Sequence, residues 1–170
     1  TDPICQFAPC AFPNVEVTEM GVSFVVPAQY SADERAYGAE PTLISAFVKP
    51  SMSPTVMHSI IIRRFHIPEG QTADDVILTH TRYQPSDVQA EDFERFETML
   101  INGKQYRTTV IERFEGMVHS AFFLARGSDI LMFEVIEHDV AEWTSPELVV
   151  LDLPEHQALL ELLGTLQSTP

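Results

Sequence analysis

The sequence predicts an α/β (α+β) fold: an antiparallel β-meander sheet with helices on both faces, a three-layer α/β/α sandwich. Three observations carry this expectation. β-Branched and aromatic residues dominate residues 42–67 and 95–138, short turn signals divide the second stretch into strands, and helix-start patterns at Thr72 and Asp152 supply cover.

Taken in order, residues 15–27 read as a strand or a pair of strands, broken at Gly21 and ended by Pro27. Residues 29–41 are polar, contain Gly38 and read as a loop. Residues 42–49 and 55–67 are two strands separated by a turn between Pro50 and Pro54. Thr72 can accept from an amide of the next turn, and Asp74 and Asp75 favour the positive end of a helix dipole. Val76, Ile77, His80 and Tyr83 then share one helical face, and Pro85 stops the helix. From Phe93 onward the pattern is strands. Asn102-Gly103 tolerates the positive φ of a type I′ turn, and Glu115-Gly116 and Gly127-Ser128 mark two more turns, which gives a four-strand meander. The last helix has Asp152 as N-cap, Pro154 just inside and Glu155 closing the capping box. Leu159, Leu160, Leu163 and Leu166 form its apolar stripe.

Alternation places Val118, Phe122 and Leu124 on one sheet face with Leu131, Phe133 and Val135. A three-residue loop at residues 115–117 adds Tyr106, Val110 and Phe114 to this core face, whereas a two-residue loop puts Arg107 and Arg113 there. The three-residue loop is therefore expected. The opposite face carries Ile111, His119, Phe123, Met132 and Ile136 beside Arg113, Glu134 and His138. It is too apolar for open water, so both faces need cover.

A chain of 170 residues with 45% hydrophobic content can bury one sizeable core. One domain is expected over residues 15–170, preceded by an arm over residues 1–14. No apolar run is long enough for a membrane span. The net charge of −15 repels phosphate backbones, which argues against nucleic acid and leaves solubility or a basic partner protein as its uses.

The chain begins at Thr1 rather than Met, which raises the expectation that a leading segment was processed away, with a lipid anchor before Thr1 as one form of it. Cys5 and Cys10 are spaced for a small disulfide loop, worth roughly 2 kcal/mol in the chain-entropy picture and persistent only in oxidising compartments. Free thiols are the alternative, and zinc would need two more ligands. A periplasmic or secreted location is expected. Pro3, Pro9 and Pro13 make the arm irregular, and its Phe7 and Phe12 can anchor a partner or pack on their own domain.

The segment from Gly21 to Pro27 with Phe24 inside it, then Tyr30, two strands, a helix, the meander and a docking helix, resembles the PsbP-like α/β/α sandwiches, exported accessory proteins of the DcrB kind included. The resemblance spans roughly residues 15–168, with Tyr30 where such proteins often carry Trp. It implies an accessory or assembly protein with no shared active site.

No nucleophile elbow, zinc helix, phosphate loop or dinucleotide fingerprint is present. The adjacent pairs His58-Ser59 and His119-Ser120 sit on strands, where neighbours point to opposite faces, so neither makes a nucleophile pair. His119, Glu134 and His138 fall on one face and could hold a divalent metal or share a proton. The expected alternative is a polar rim in which Glu134 pairs with Arg113. Glu137, Asp139 and Glu142 concentrate acid beside Trp143, the only tryptophan, a plausible contact for a basic partner. No cofactor is implied. The function expected is a non-enzymatic exported protein-binding or accessory module. Rival readings are an immunity or inhibitor protein against a basic secreted toxin or hydrolase, and a small-molecule-binding protein or hydrolase with a sheet-face pocket lined by Phe123, Met132 and the His/Glu group.

Overall fold

The computed structural model describes residues 14–17, 21–33 and 40–169. Cys5, Cys10, Phe7, Phe12 and Gly38 lie outside the described residues. The chain runs β1 (Asn14–Val17), β2 (Val22–Val25), β3 (Ser31–Ala32), β4 (Leu43–Pro50), β5 (Met57–His66), α1 (Ala73–Thr79), β6 (Arg82–Tyr83) and β7 (Val88–Gln89). The meander follows as β8 (Glu97–Ile101), β9 (Lys104–Phe114), β10 (Met117–Arg126) and β11 (Asp129–Glu137), and the chain ends in α2 (Pro154–Thr165) and β12 (Gln167–Ser168).

β3, β4 and β5 join the meander in one seven-stranded antiparallel sheet of order β3-β4-β5-β11-β10-β9-β8. β5 lies against β11, with Ile60 opposite Val135 and Ile62 opposite Phe133. β1 and β2 do not enter this sheet. They form a separate three-stranded sheet in which β12 pairs with β2, a pairing that no local pattern announces because β12 is two residues long. β6 and β7 make a small ladder of their own. No helix among the described residues is long and apolar enough to cross a membrane.

Adjacent residues of β10 separate two apolar clusters. Phe122 packs with Leu131, Phe133, Tyr106 and the α2 residues Leu159, Leu162 and Leu163, together with Phe24 of β2. Phe123 packs with Ile111, Ile130, Met132, Phe65 and the α1 residues Val76 and Ile77. The first cluster is the expected core face. Leu162 joins its helical stripe, while Leu160 is only partly buried against it.

Three expectations need correction. The β9–β10 loop has two residues, Glu115 and Gly116, both at positive φ, with Phe114 opposite Met117. A bulge then intervenes: His119 pairs with Glu112 but Ser120 pairs with Val110, which leaves Ile111 as the extra residue. The bulge reverses the parity that the short loop would impose. Tyr106 therefore reaches the Phe122 face as expected and Arg107 goes to the other, while Arg113 lies opposite Val118 and Phe114 is 43% exposed. Next, α1 ends at Thr79, so Tyr83 is a strand residue and Pro85 does not terminate the helix. Two hydroxyls compete with continued winding, Thr79 donating to Asp75 O and Thr81 to Ile77 O, and the Gln84 amide is drawn to the Ile111 carbonyl at the bulge. The Thr72–Asp75 capping box itself is present. Finally, α2 has Leu153 as its N-cap with no side-chain cap, because Asp152 belongs to a preceding 3₁₀ turn and Glu155 faces the interior instead of the helix start.

Candidate functional site

Strand alternation carries Glu137 to the Phe122 face, where it follows Phe133 and Val135 at the end of β11. β5 runs antiparallel beside β11, so its first residues, Met57 and His58, arrive at the same end. α2 starts there too. Its residues His156, Leu159 and Leu163 recur at helical spacing, and the leucines that dock the helix also push Glu155 and His156 inward. Glu137, Glu155 and His156 are 4%, 3% and 0% exposed.

Each of these three side chains is answered. Glu155 accepts from the Tyr30 hydroxyl at 2.5 Å and from Lys49 Nζ at 2.6 Å, and His58 Nε2 stands 3.9 Å away. Burial, and then the Glu155 carboxylate, push the Tyr30 hydroxyl well above its ordinary range, so it stays a donor. Glu137 accepts from the His156 amide at 3.3 Å and lies 2.8 Å from His156 Nδ1. His156 Nε2 lies 2.8 Å from Ser120 Oγ. The His138 amide donates to His58 Nδ1 at 3.1 Å, and burial, then the neighbouring His58, lower the pKa of His138.

Above this network opens a cleft of about 430 Å³, whose walls include Met52, His58, His138, Asp139, Glu142 and Pro154. Asp139 is exposed and accepts from the Met52 amide at 3.0 Å. Glu142 is exposed. Trp143 is half-buried and meets Phe114 edge-on, ring centres 6.1 Å apart. Arg113 holds this turn by donating to the Trp143 carbonyl through Nε at 2.9 Å and Nη2 at 2.6 Å. Asp139 and Glu142 thus line the rim, Trp143 follows Glu142 in the turn beside it, and Glu137 is turned inward on His156.

The His119, Glu134 and His138 set divides. His119 Nε2 is 3.0 Å from Glu134 Oε1, as the diagonal register requires, and Arg63 Nε donates to Glu134 Oε2 at 2.7 Å. Arg63, contributed by β5, takes the place expected of Arg113 and also reaches Glu40. Burial works to raise the Glu134 pKa, but His119 and then Arg63 outweigh it and hold the carboxyl below its ordinary value. His138 is engaged with His58 instead. No group of three or more His, Cys, Asp or Glu side chains among the described residues is placed to hold a metal. Phe123 borders a shallow groove of about 420 Å³ with Asp74, Ile77 and Arg107.

Sequence reading missed Tyr30, Lys49, Glu155 and His156 as one cluster, because they come from distant segments. One signal was available: Glu155 and His156 fall in register with the leucine stripe of α2, where charged residues are rarely found without a partner.

No protein-family model and no curated protein matches this sequence. Solved structures do match in shape. Cyanobacterial PsbP (CyanoP) from Synechocystis sp. PCC 6803 aligns with a TM-score of 0.57 at 11% identity, covering 96% of this chain and 95% of that one. LpqN, described as involved in cell envelope biogenesis of Mycobacterium tuberculosis, aligns with a TM-score of 0.55 at 11% identity, over 93% and 90% of the two chains. A protein from Bacteroides thetaiotaomicron VPI-5482 aligns with a TM-score of 0.51 at 10% identity. The alignment takes in 88% of this chain but only 46% of the Bacteroides protein. At such identities likeness reports architecture alone, and the architecture of this chain is PsbP-like.

Proposed function

We propose that the chain is an extracytoplasmic accessory module, a three-layer α/β/α sandwich that acts by binding another protein at the acidic end of its sheet. The observation that carries this reading is the rim itself. Asp139 and Glu142 project into solvent beside the Trp143–Phe114 pair, above a network that fixes the backbone beneath them. Aromatic area supplies contact energy and rim carboxylates supply steering toward a basic surface. The likeness to LpqN supports an envelope setting, and a Cys5–Cys10 disulfide would fit an oxidising compartment.

The test uses the full chain and a double variant, Asp139→Lys with Glu142→Lys, for cross-linking in envelope extracts of the source organism at low and high salt. The expected outcome is a discrete cross-linked partner that weakens with salt and disappears with the variant. An identical, salt-insensitive cross-linking pattern for both proteins would refute the rim as the contact.

A further inference from the structure

Ser120, His156 and Glu137 form an unbroken relay whose outer end meets a second cavity. Ser120 Oγ is 2.8 Å from His156 Nε2, and His156 Nδ1 is 2.8 Å from Glu137 Oε2. The order of donors follows from Glu137. Its Oε2 accepts from the His156 amide, and a carboxylate oxygen in that place also accepts from Nδ1–H. That tautomer leaves Nε2 bare, so the Ser120 hydroxyl donates to it. The imidazole is wholly buried and held at both nitrogens.

Ser120 is also where β10 meets the bulge, a feature that re-aims side chains and recurs beside active sites. It lines a cavity of about 280 Å³ whose walls include Thr108, Val110, Leu148, Val149 and Leu151. Thr108 makes no side-chain hydrogen bond among the described residues, so its hydroxyl is available to a ligand in that cavity.

We propose that this relay is a nucleophilic site, with Ser120 as nucleophile, His156 as its general base and Glu137 as the positioning residue, acting on small uncharged esters. Ser120 Oγ attacks the ester carbonyl carbon while its proton passes to His156 Nε2. The C–O bond to the alkoxy group breaks, and that group leaves with the proton as an alcohol, so Ser120 carries the acyl group. Water then attacks this acyl ester, giving its proton to His156; the acid departs and the proton returns to Ser120. Thr108 donates to the carbonyl oxygen as negative charge develops there. This activity is independent of partner binding at the rim.

The full-length protein is incubated with a small fluorophosphonate, which forms an Oγ–P bond as P–F breaks and fluoride leaves, and the modified peptide is mapped by mass spectrometry. In parallel, hydrolysis of p-nitrophenyl acetate is followed. Labelling at Ser120 and ester hydrolysis are expected, both abolished by Ser120→Ala. Glu137→Gln should slow hydrolysis by roughly 10²-fold while Ser120 remains in place. Val149 is 57% exposed at the cavity, so Val149→Trp should block labelling without touching the relay. Failure of the folded wild-type protein to label at Ser120 under excess probe overturns the proposal, whatever the variants do. So does hydrolysis that survives in a folded Ser120→Ala protein.

Discussion

On the Phe122 face, Glu137 is answered by one histidine and Glu155 by a tyrosine and a lysine, and all of this lies under a helix. On the Phe123 face, Glu134 is clasped between His119 and Arg63, whose side chains are 15% and 21% exposed. Both faces bury carboxylate, yet Glu134 has a guanidinium among its partners whereas Glu137 is met only by the amide and imidazole of His156. The Glu134 cluster has the composition of a stabilising ion pair. The Glu137 relay has the composition of a site in which a proton can move, because its histidine is flanked by one acceptor and one hydroxyl.

The sharpest way to break this contrast is to remove His156. His156→Leu leaves Glu137 as a buried carboxylate with no imidazole and should cost about 3–5 kcal/mol in urea denaturation. Glu134→Gln keeps the shape of the second cluster but weakens both its bonds, with an expected loss of about 1–3 kcal/mol by the same measurement. If the second loss equals the first, the two faces bury charge by one rule and the distinction fails.

Acid should separate them further. The Glu134 pKa lies below its ordinary 4.5, so its contribution to stability is fully present above that value and fades as pH falls through the depressed folded value. His80 and His138 have folded pKa values below 6.5, lowered chiefly by burial. The unfolded chain therefore takes up their protons first, and stability declines once pH drops below 6.5. Thermal melts across pH should show both phases. Glu134→Gln should shrink the lower one, to which Asp75 and Asp87 also contribute, and His80→Gln with His138→Gln the upper one.

The smallest effect concerns Tyr106, which is fully buried on the Phe122 face with no hydrogen-bond partner for its hydroxyl among the described residues. Burial pushes its pKa up to about 12. Tyr106→Phe deletes an unsatisfied group, so the melting temperature should rise by an amount equivalent to at most about 1 kcal/mol. A fall would mean that this hydroxyl has a polar role and that the Phe122 face is wetter than its neighbours imply.

The meander was legible because period-two alternation and turn residues are local signals: Asn102-Gly103 places its hairpin, and Leu131, Phe133 and Val135 lie inward as read. Element types around it were legible too. The bulge at Ile111 was not, since an extra residue leaves no mark when both neighbours are tolerable in a strand; the two-residue loop turned Phe114 and Arg113 over from their expected faces, and the bulge returned Val110 and Tyr106 to theirs. The candidate site was legible only in its exposed acids. Tyr30, Lys49, Ser120, Glu137 and Glu155 meet through contacts across up to 125 positions of sequence, which no spacing rule can report.

Because Ile111 is the surplus residue of β9, a chain lacking it would still set Ser120 opposite Val110 and keep Tyr106 inward. Losing any single residue between Gln105 and Thr109 would instead swing Arg107 or its neighbours into the apolar interior. The strand therefore carries one position where a length change of one is absorbed. Distant relatives sharing this architecture should differ in length by odd numbers there and by even numbers along the rest of the hairpin.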